Sequence, residues 1–91
     1  MIDLLLYTRR ECHLCDAMKS AVEDEAKGFA VKTTIVDVDS RSDLAEEFGL
    51  DVPVLFVSGK KFAKHRLEPG RLREKLRRER AGAKDLARES R

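Results

Sequence analysis

Cys12 and Cys15 are the chain's only cysteines, and they stand three apart in RRECHLCDAM, residues 9 to 18. Two thiols at this spacing can exchange electrons as a dithiol and a disulfide, supply part of a metal site, or simply pack as small apolar groups. On a helix, residues three apart share a face, and their Cα separation falls within the range a disulfide needs. A bridge closing so small a loop adds little chain-entropy stabilisation, so stapling the fold is a weak reason for the pair. A structural zinc ion takes four ligands, and the chain offers Cys12, Cys15, His13 and a distant His65. His13 cannot readily share a metal with its immediate neighbours, which leaves a site shared across a dimer as the zinc reading.

Redox chemistry agrees better with the surroundings. The pair falls where an apolar stretch ends and a helical pattern begins, so Cys12 is expected at a helix N-terminus. Unpaired N–H groups and the macrodipole favour a thiolate there. Arg9, Arg10 and protonated His13 push the same way, while Glu11 and Asp16 oppose them. Stepping about 100° per residue from Leu14, the apolar arc includes Cys15 and leaves Cys12 beyond its edge. Cys12 is therefore predicted as the exposed nucleophile and Cys15 as the sheltered resolver. Cys12 would attack a substrate disulfide, Cys15 would release the mixed disulfide, and an outside reductant would reset the pair.

The elements that must position this motif are legible from pattern. IDLLLYT, residues 2 to 8, is a continuous apolar strand of the kind buried on both faces and so central in a sheet. VKTTIVDV at 31 to 38 and VPVLFV at 52 to 57 are further strands, and Ser58-Gly59 turns the chain into an antiparallel fourth strand over 60 to 66. The lysines of that last strand suit a sheet edge. Leu14, Ala17, Met18, Ala21, Val22 and Ala26 recur at helical spacing up to Gly28. A short helix starts near Ser40 or Ser42, turns Leu44, Ala45 and Phe48 inward and stops at Gly49. Pro69 is placed to start a third helix bearing Leu72 and Leu76. The order is β-α-β-α-β-β-α, an α/β arrangement with a four-stranded mixed sheet packed by helices.

Composition limits the alternatives. Ninety-one residues, 42% hydrophobic and 40% charged, describe one highly charged globular domain, not a disordered chain. LLLY is too short for a signal-peptide core and no run approaches a membrane span, so a cytoplasmic protein with no membrane partner is expected. In a reducing compartment a close cysteine pair is more often catalytic or metal-binding than structural. Residues 71 to 91 hold nine Lys/Arg against four Asp/Glu, a balance of +5 that leaves −3 for residues 1 to 70. That basic segment lacks aromatic residues for base stacking, so nucleic acid is not the expected partner. Gly82 and the RRER interruption assign residues 80 to 91 to a basic tail expected to fray, after a domain over 1 to 79.

With YTRRECHLC closing the first strand, a long helix behind it, Val52-Pro53 opening the third strand and a hairpin in FVSGKKF, the chain resembles glutaredoxins. It is similar in particular to their short bacterial glutaredoxin-like relatives, over residues 2 to 78. Arg9 falls where glutaredoxins commonly carry a basic residue three before the first cysteine. The resemblance implies a thioredoxin fold and thiol-disulfide oxidoreductase activity with no bound cofactor. It also implies a cis peptide at Val52-Pro53 that sets the Val52 backbone beside Cys12. Arg9, His13, Val52 and Pro53 are then the substrate-binding candidates. The implied substrate is a disulfide-bearing protein or a low-molecular-weight thiol, with thioredoxin or glutathione as reductant. Two departures stand out: His13-Leu14 replaces the usual Pro-Tyr, and Ala63-Lys64-His65-Arg66 replaces the Gly-Gly-x-Asp that helps hold glutathione. Glutathione use is therefore not carried over with the motif. The alternative is a non-enzymatic zinc-binding or redox-sensing module built on the same pair.

Overall fold

A computed structural model describes residues 1–89. The apolar run of β1 (Ile2–Thr8) is paired on both edges, parallel with β2 (Val31–Asp37) and antiparallel with β3 (Val54–Val57). β4 (Lys60–Lys64) adds antiparallel to β3, giving the order β2-β1-β3-β4 with β1 inside the sheet, as its continuous hydrophobicity predicts. Strand alternation sends Leu4 and Leu6 to one face, opposite Val57 and Leu55, and all four are at most 1% exposed.

α1 (His13–Glu25) and α3 (Arg71–Glu89) cover that face with Met18, Val22, Leu72 and Leu76. Fully burying each such side chain is worth roughly 1.5–3 kcal/mol. The second face is covered at one end only. There a 3-10 turn (Val38–Ser40) and the short α2 (Ser42–Phe48) bring Val38 and Phe48 onto Val54, and Tyr7 stacks on Phe48 at 4.6 Å between ring centroids. Phe56 meets both rings edge-on. This aromatic trio ties the last residues of β1 to the end of α2, directly before the loop that carries the cysteines.

β2 stops at Asp37, one residue short of the sequence pattern, because the 3-10 turn takes Val38, and three further boundaries differ, each for a local reason. β3 starts at Val54, because Pro53 has no N–H to give to a ladder. β4 stops at Lys64, because His65 takes a left-handed φ of 70°. α3 starts at Arg71 and not at Pro69, because Gly70 turns the chain at φ 81°. The Glu25 carboxylate then accepts the N–H groups of Gly70 and Arg73 at 3.1 and 3.0 Å. Arg73 reciprocates by donating to the carbonyls of Glu25 and Lys27, at 3.3 and 2.9 Å, where α1 runs out. Each helix end thus receives the charge its dipole favours from the other helix. Phe29 lies under the guanidinium groups of Arg73 and Arg80. α3 continues across Gly82, into the segment from 80 to 91 expected as a fraying basic tail; residues 90 and 91 of that tail lie outside the described residues.

Candidate active site

The loop from Arg9 to Cys12 leaves the sheet after Thr8 and turns at Glu11, a non-glycine residue with φ 54°. Cys12 emerges extended, at φ −114° and ψ 103°, as the N-cap of α1. Its Sγ accepts the N–H of Cys15 at 3.1 Å, the position that a Ser or Asp oxygen takes in an ordinary cap. A disulfide joins Cys12 to Cys15 across a Cα separation of 5.2 Å. Cys15 is 2% exposed, whereas Cys12 is only half-buried. The predicted inequality of the two sulfurs is therefore present, and a first-turn amide already points at the outer one.

The basic residues upstream are placed differently from their expected use. Arg9 donates through Nε and Nη2 to the two carboxylate oxygens of Asp39, both at 2.9 Å, and through Nη1 to the carbonyl of Gly49 at 3.1 Å. The hydrogen bond from Arg9 holds the Asp39 carboxyl below the usual carboxylate range, and Asp39 raises Arg9 in turn. Arg10 lies 3.9 Å from Asp37 and is almost fully exposed. Both arginines thus carry carboxylate partners, and Asp39 is the site-side residue that sequence reasoning missed. Gly49 explains how Arg9 reaches its carbonyl. Its φ is an ordinary −55°, so the glycine is not a left-handed helix stop; a Cβ there would run into the Ala45 carbonyl and stand 3.2 Å from Arg9 Nη1.

The Val52-Pro53 peptide is cis, as the resemblance implies, with Val52 half-buried and Pro53 fully buried. The Pro53 carbonyl accepts the N–H of His65 at 2.8 Å, so the end of β4 is bonded to the Val52-Pro53 segment. His13 is exposed at the first position of α1. Among the described residues no three His, Cys, Asp or Glu side chains gather as a metal-binding group, so the structure does not bring His65 to the cysteines as a zinc ligand.

Leu14 overturns one expectation. The helical pattern assigns it inward, yet it is 52% exposed and lines a groove of about 500 Å³ with Ala17, Ala21, His65, Arg66 and Leu67. The apolar arc of α1 contains two stripes. Cys15, Met18 and Val22 are buried, while Leu14, Ala17 and Ala21 form the adjacent stripe facing this groove.

Residues 3–77 match the family model described as Glutaredoxin-like domain (DUF836). The chain belongs to this glutaredoxin-like family. Among solved structures, target protein XcR50 from X. campestris is 33% identical with a TM-score of 0.67, the match covering 80% of this chain and 93% of that one. A thioredoxin mutant from Halobacterium salinarum NRC-1 is 24% identical with a TM-score of 0.58, covering 82% and 71%. Glutaredoxin C1 from Populus tremula x tremuloides is 21% identical with a TM-score of 0.50, covering 68% and 65%. The latter two establish the thioredoxin-like fold, and the glutaredoxin-like domain carries its cysteine pair at the first helix N-terminus of that fold. No helix among the described residues is long and apolar enough to cross a membrane.

Proposed function

We propose that this glutaredoxin-like domain is a dithiol–disulfide oxidoreductase, with Cys12 as nucleophile and Cys15 as resolver. The observation that supports it most directly is the Cys12 sulfur acting as the N-cap of α1, accepting a first-turn N–H while half-exposed beside a buried partner sulfur. The same N–H and the helix dipole stabilise the negative charge of a Cys12 thiolate in the reduced protein.

The reaction balances without a bound cofactor. Cys12 thiolate attacks one sulfur of a substrate disulfide, forming a mixed disulfide and expelling the other substrate sulfur as a thiolate that takes up a proton. Cys15, losing its own proton, attacks Cys12 Sγ, which releases the second substrate thiol and closes the Cys12–Cys15 bridge. The substrate gains two electrons, and an external thiol reductant, a thioredoxin-type dithiol or two glutathione molecules, returns them.

Pro53 walls the substrate path and the Val52 backbone is available to pair with the incoming chain, by resemblance to glutaredoxins. His13, exposed at the helix tip, is available to contact the substrate. Arg9 acts as a positioning residue, since its guanidinium holds Asp39 and Gly49 around the cysteine loop. The reducing cytoplasm is the setting this chemistry suits.

A disulfide-reduction assay with a regenerating reductant tests the reading. Cys12→Ser is expected to abolish turnover, and Cys15→Ser to accumulate a mixed disulfide visible by mass spectrometry. Turnover retained by Cys12→Ser contradicts the assignment. A single stoichiometric oxidation without turnover would instead identify a redox-sensing module, and zinc copurifying at fixed stoichiometry with protected thiols would identify a metal module.

A further inference from the structure

The stripe of α1 that the core leaves uncovered does not end in open solvent. Leu14, Ala17 and Ala21 make an apolar floor with Leu67, and His65 and Arg66 stand beside it, around a groove of about 500 Å³. That size is within the range of ligand-binding clefts. The groove begins inside the C-x-x-C motif, since Leu14 lies between the cysteines, and His65 on its rim is hydrogen-bonded through its N–H to the Pro53 carbonyl. His65 is held there at a left-handed φ of 70°, a conformation that non-glycine residues adopt infrequently and that clusters at functional sites.

Arg66 also borders a second groove, of about 410 Å³, along the β4 edge. Lys61, Lys64 and Arg71 line it, with Glu68 as the acidic member. Lys64 is 3.8 Å from Asp51, while Arg71 lies over the Phe62 ring. Arg66 thus borders both the apolar floor and the cationic strip. Apolar side chains left exposed around a reactive thiol mark a protein-binding surface. A glutathione molecule has no apolar side chain to cover Leu14 and Leu67.

We propose that these two grooves, neighbours across Arg66, dock an extended segment of a disulfide-bearing protein, with an apolar side chain next to its cysteine and acidic side chains beyond. The inference rests on the oxidoreductase reading for its chemistry and on charge complementarity for its occupant.

The test separates the two. In the Cys12→Ser/Cys15→Ser protein, a fluorescent peptide carrying Leu beside a Ser that replaces cysteine, followed by Glu residues, is titrated by anisotropy. Two control peptides replace Glu with Lys or Leu with Gly. The Leu-Glu peptide is expected to bind about tenfold tighter than either control. Amide NMR shifts should concentrate at Leu14, Ala17, Ala21 and Leu67. Arg66→Glu and Ala17→Glu should each weaken binding by about fivefold to tenfold, with circular dichroism and Tm unchanged because both side chains are exposed. Equal affinity for the Glu and Lys peptides, no binding, shifts along β2 instead, or tighter binding of a single-stranded oligonucleotide would overturn the proposal. Because this protein lacks both thiols, the titration reads docking alone. Peptide binding with no disulfide turnover in the wild type would contradict the reaction and leave the docking surface standing.

Discussion

At its C-terminal end, α1 is tied to α3 by the Glu25 carboxylate on two N–H groups, by Arg73 on two carbonyls, and by Phe29 under two guanidinium groups. At its N-terminal end the helix is capped by a sulfur, entered through a left-handed Glu11, and flanked by an exposed leucine. Oxygen caps and matched charges would hold that end more firmly than a thiol does. The difference separates where the fold is secured from where the proposed chemistry takes place. A helix anchored at its far end by another helix depends less on its near end for stability, which suits that end to the nucleophile proposed at Cys12.

Substitutions at the two ends should therefore differ in kind. The largest effect on activity belongs to Cys12→Ser, which should reduce disulfide turnover to the uncatalysed rate while moving Tm little under reducing conditions. The largest effect on stability belongs to the shared core. Leu72→Ala, at a fully buried position, should cost about 2–5 kcal/mol in urea unfolding without changing thiol reactivity in the remaining folded protein. Glu25→Ala should cost about 1 kcal/mol, near the usual value for losing a cap, and Arg73→Ala a similar amount. Their double mutant should lose less than the two single losses combined, because each residue serves the same junction. Loss of activity in Glu25→Ala beyond its loss of folded protein would break the division between the ends.

The smallest effect concerns pH. The folded protein holds Asp39 below its ordinary value, so the Arg9 bond stabilises the fold above that value. The contribution fades as pH falls through the lowered, folded pKa. Wild type and Asp39→Asn should accordingly differ most near neutrality and converge in acid, as measured by urea unfolding across a pH series. Because the pair is exposed, added salt should narrow the gap. A gap that widened in acid would show the opposite sign and remove Arg9 and Asp39 from the account of the loop.

What was legible in the sequence follows the range of the interactions. The LLLY run placed β1 in the interior of the sheet, and the spacing of Met18, Val22 and Ala26 placed the buried stripe of α1, because both are periodic patterns within one element. Cys15 was correctly placed inside and Cys12 at the edge for the same reason. The interactions that sequence reading missed span 30 to 48 positions: Arg9 with Asp39 and Gly49, and Glu25 with Gly70 and Arg73. Arg9 looked like a free cation because nothing near it in the sequence announces Asp39. Leu14 looked buried because a helical arc reports which residues are apolar and not how wide a neighbouring sheet is. The one available clue was that the arc of α1 holds two adjacent stripes, more than a single packed face requires.

The rate of Cys12 alkylation as a function of pH, measured in Cys15→Ser, tests the central claim most directly. A sulfur capped by a helix N-terminus should reach half its maximal rate clearly below about pH 8.5, the midpoint of an ordinary thiol. A midpoint at or above that value, or a rate too slow to follow in the folded protein, would contradict Cys12 as the nucleophile.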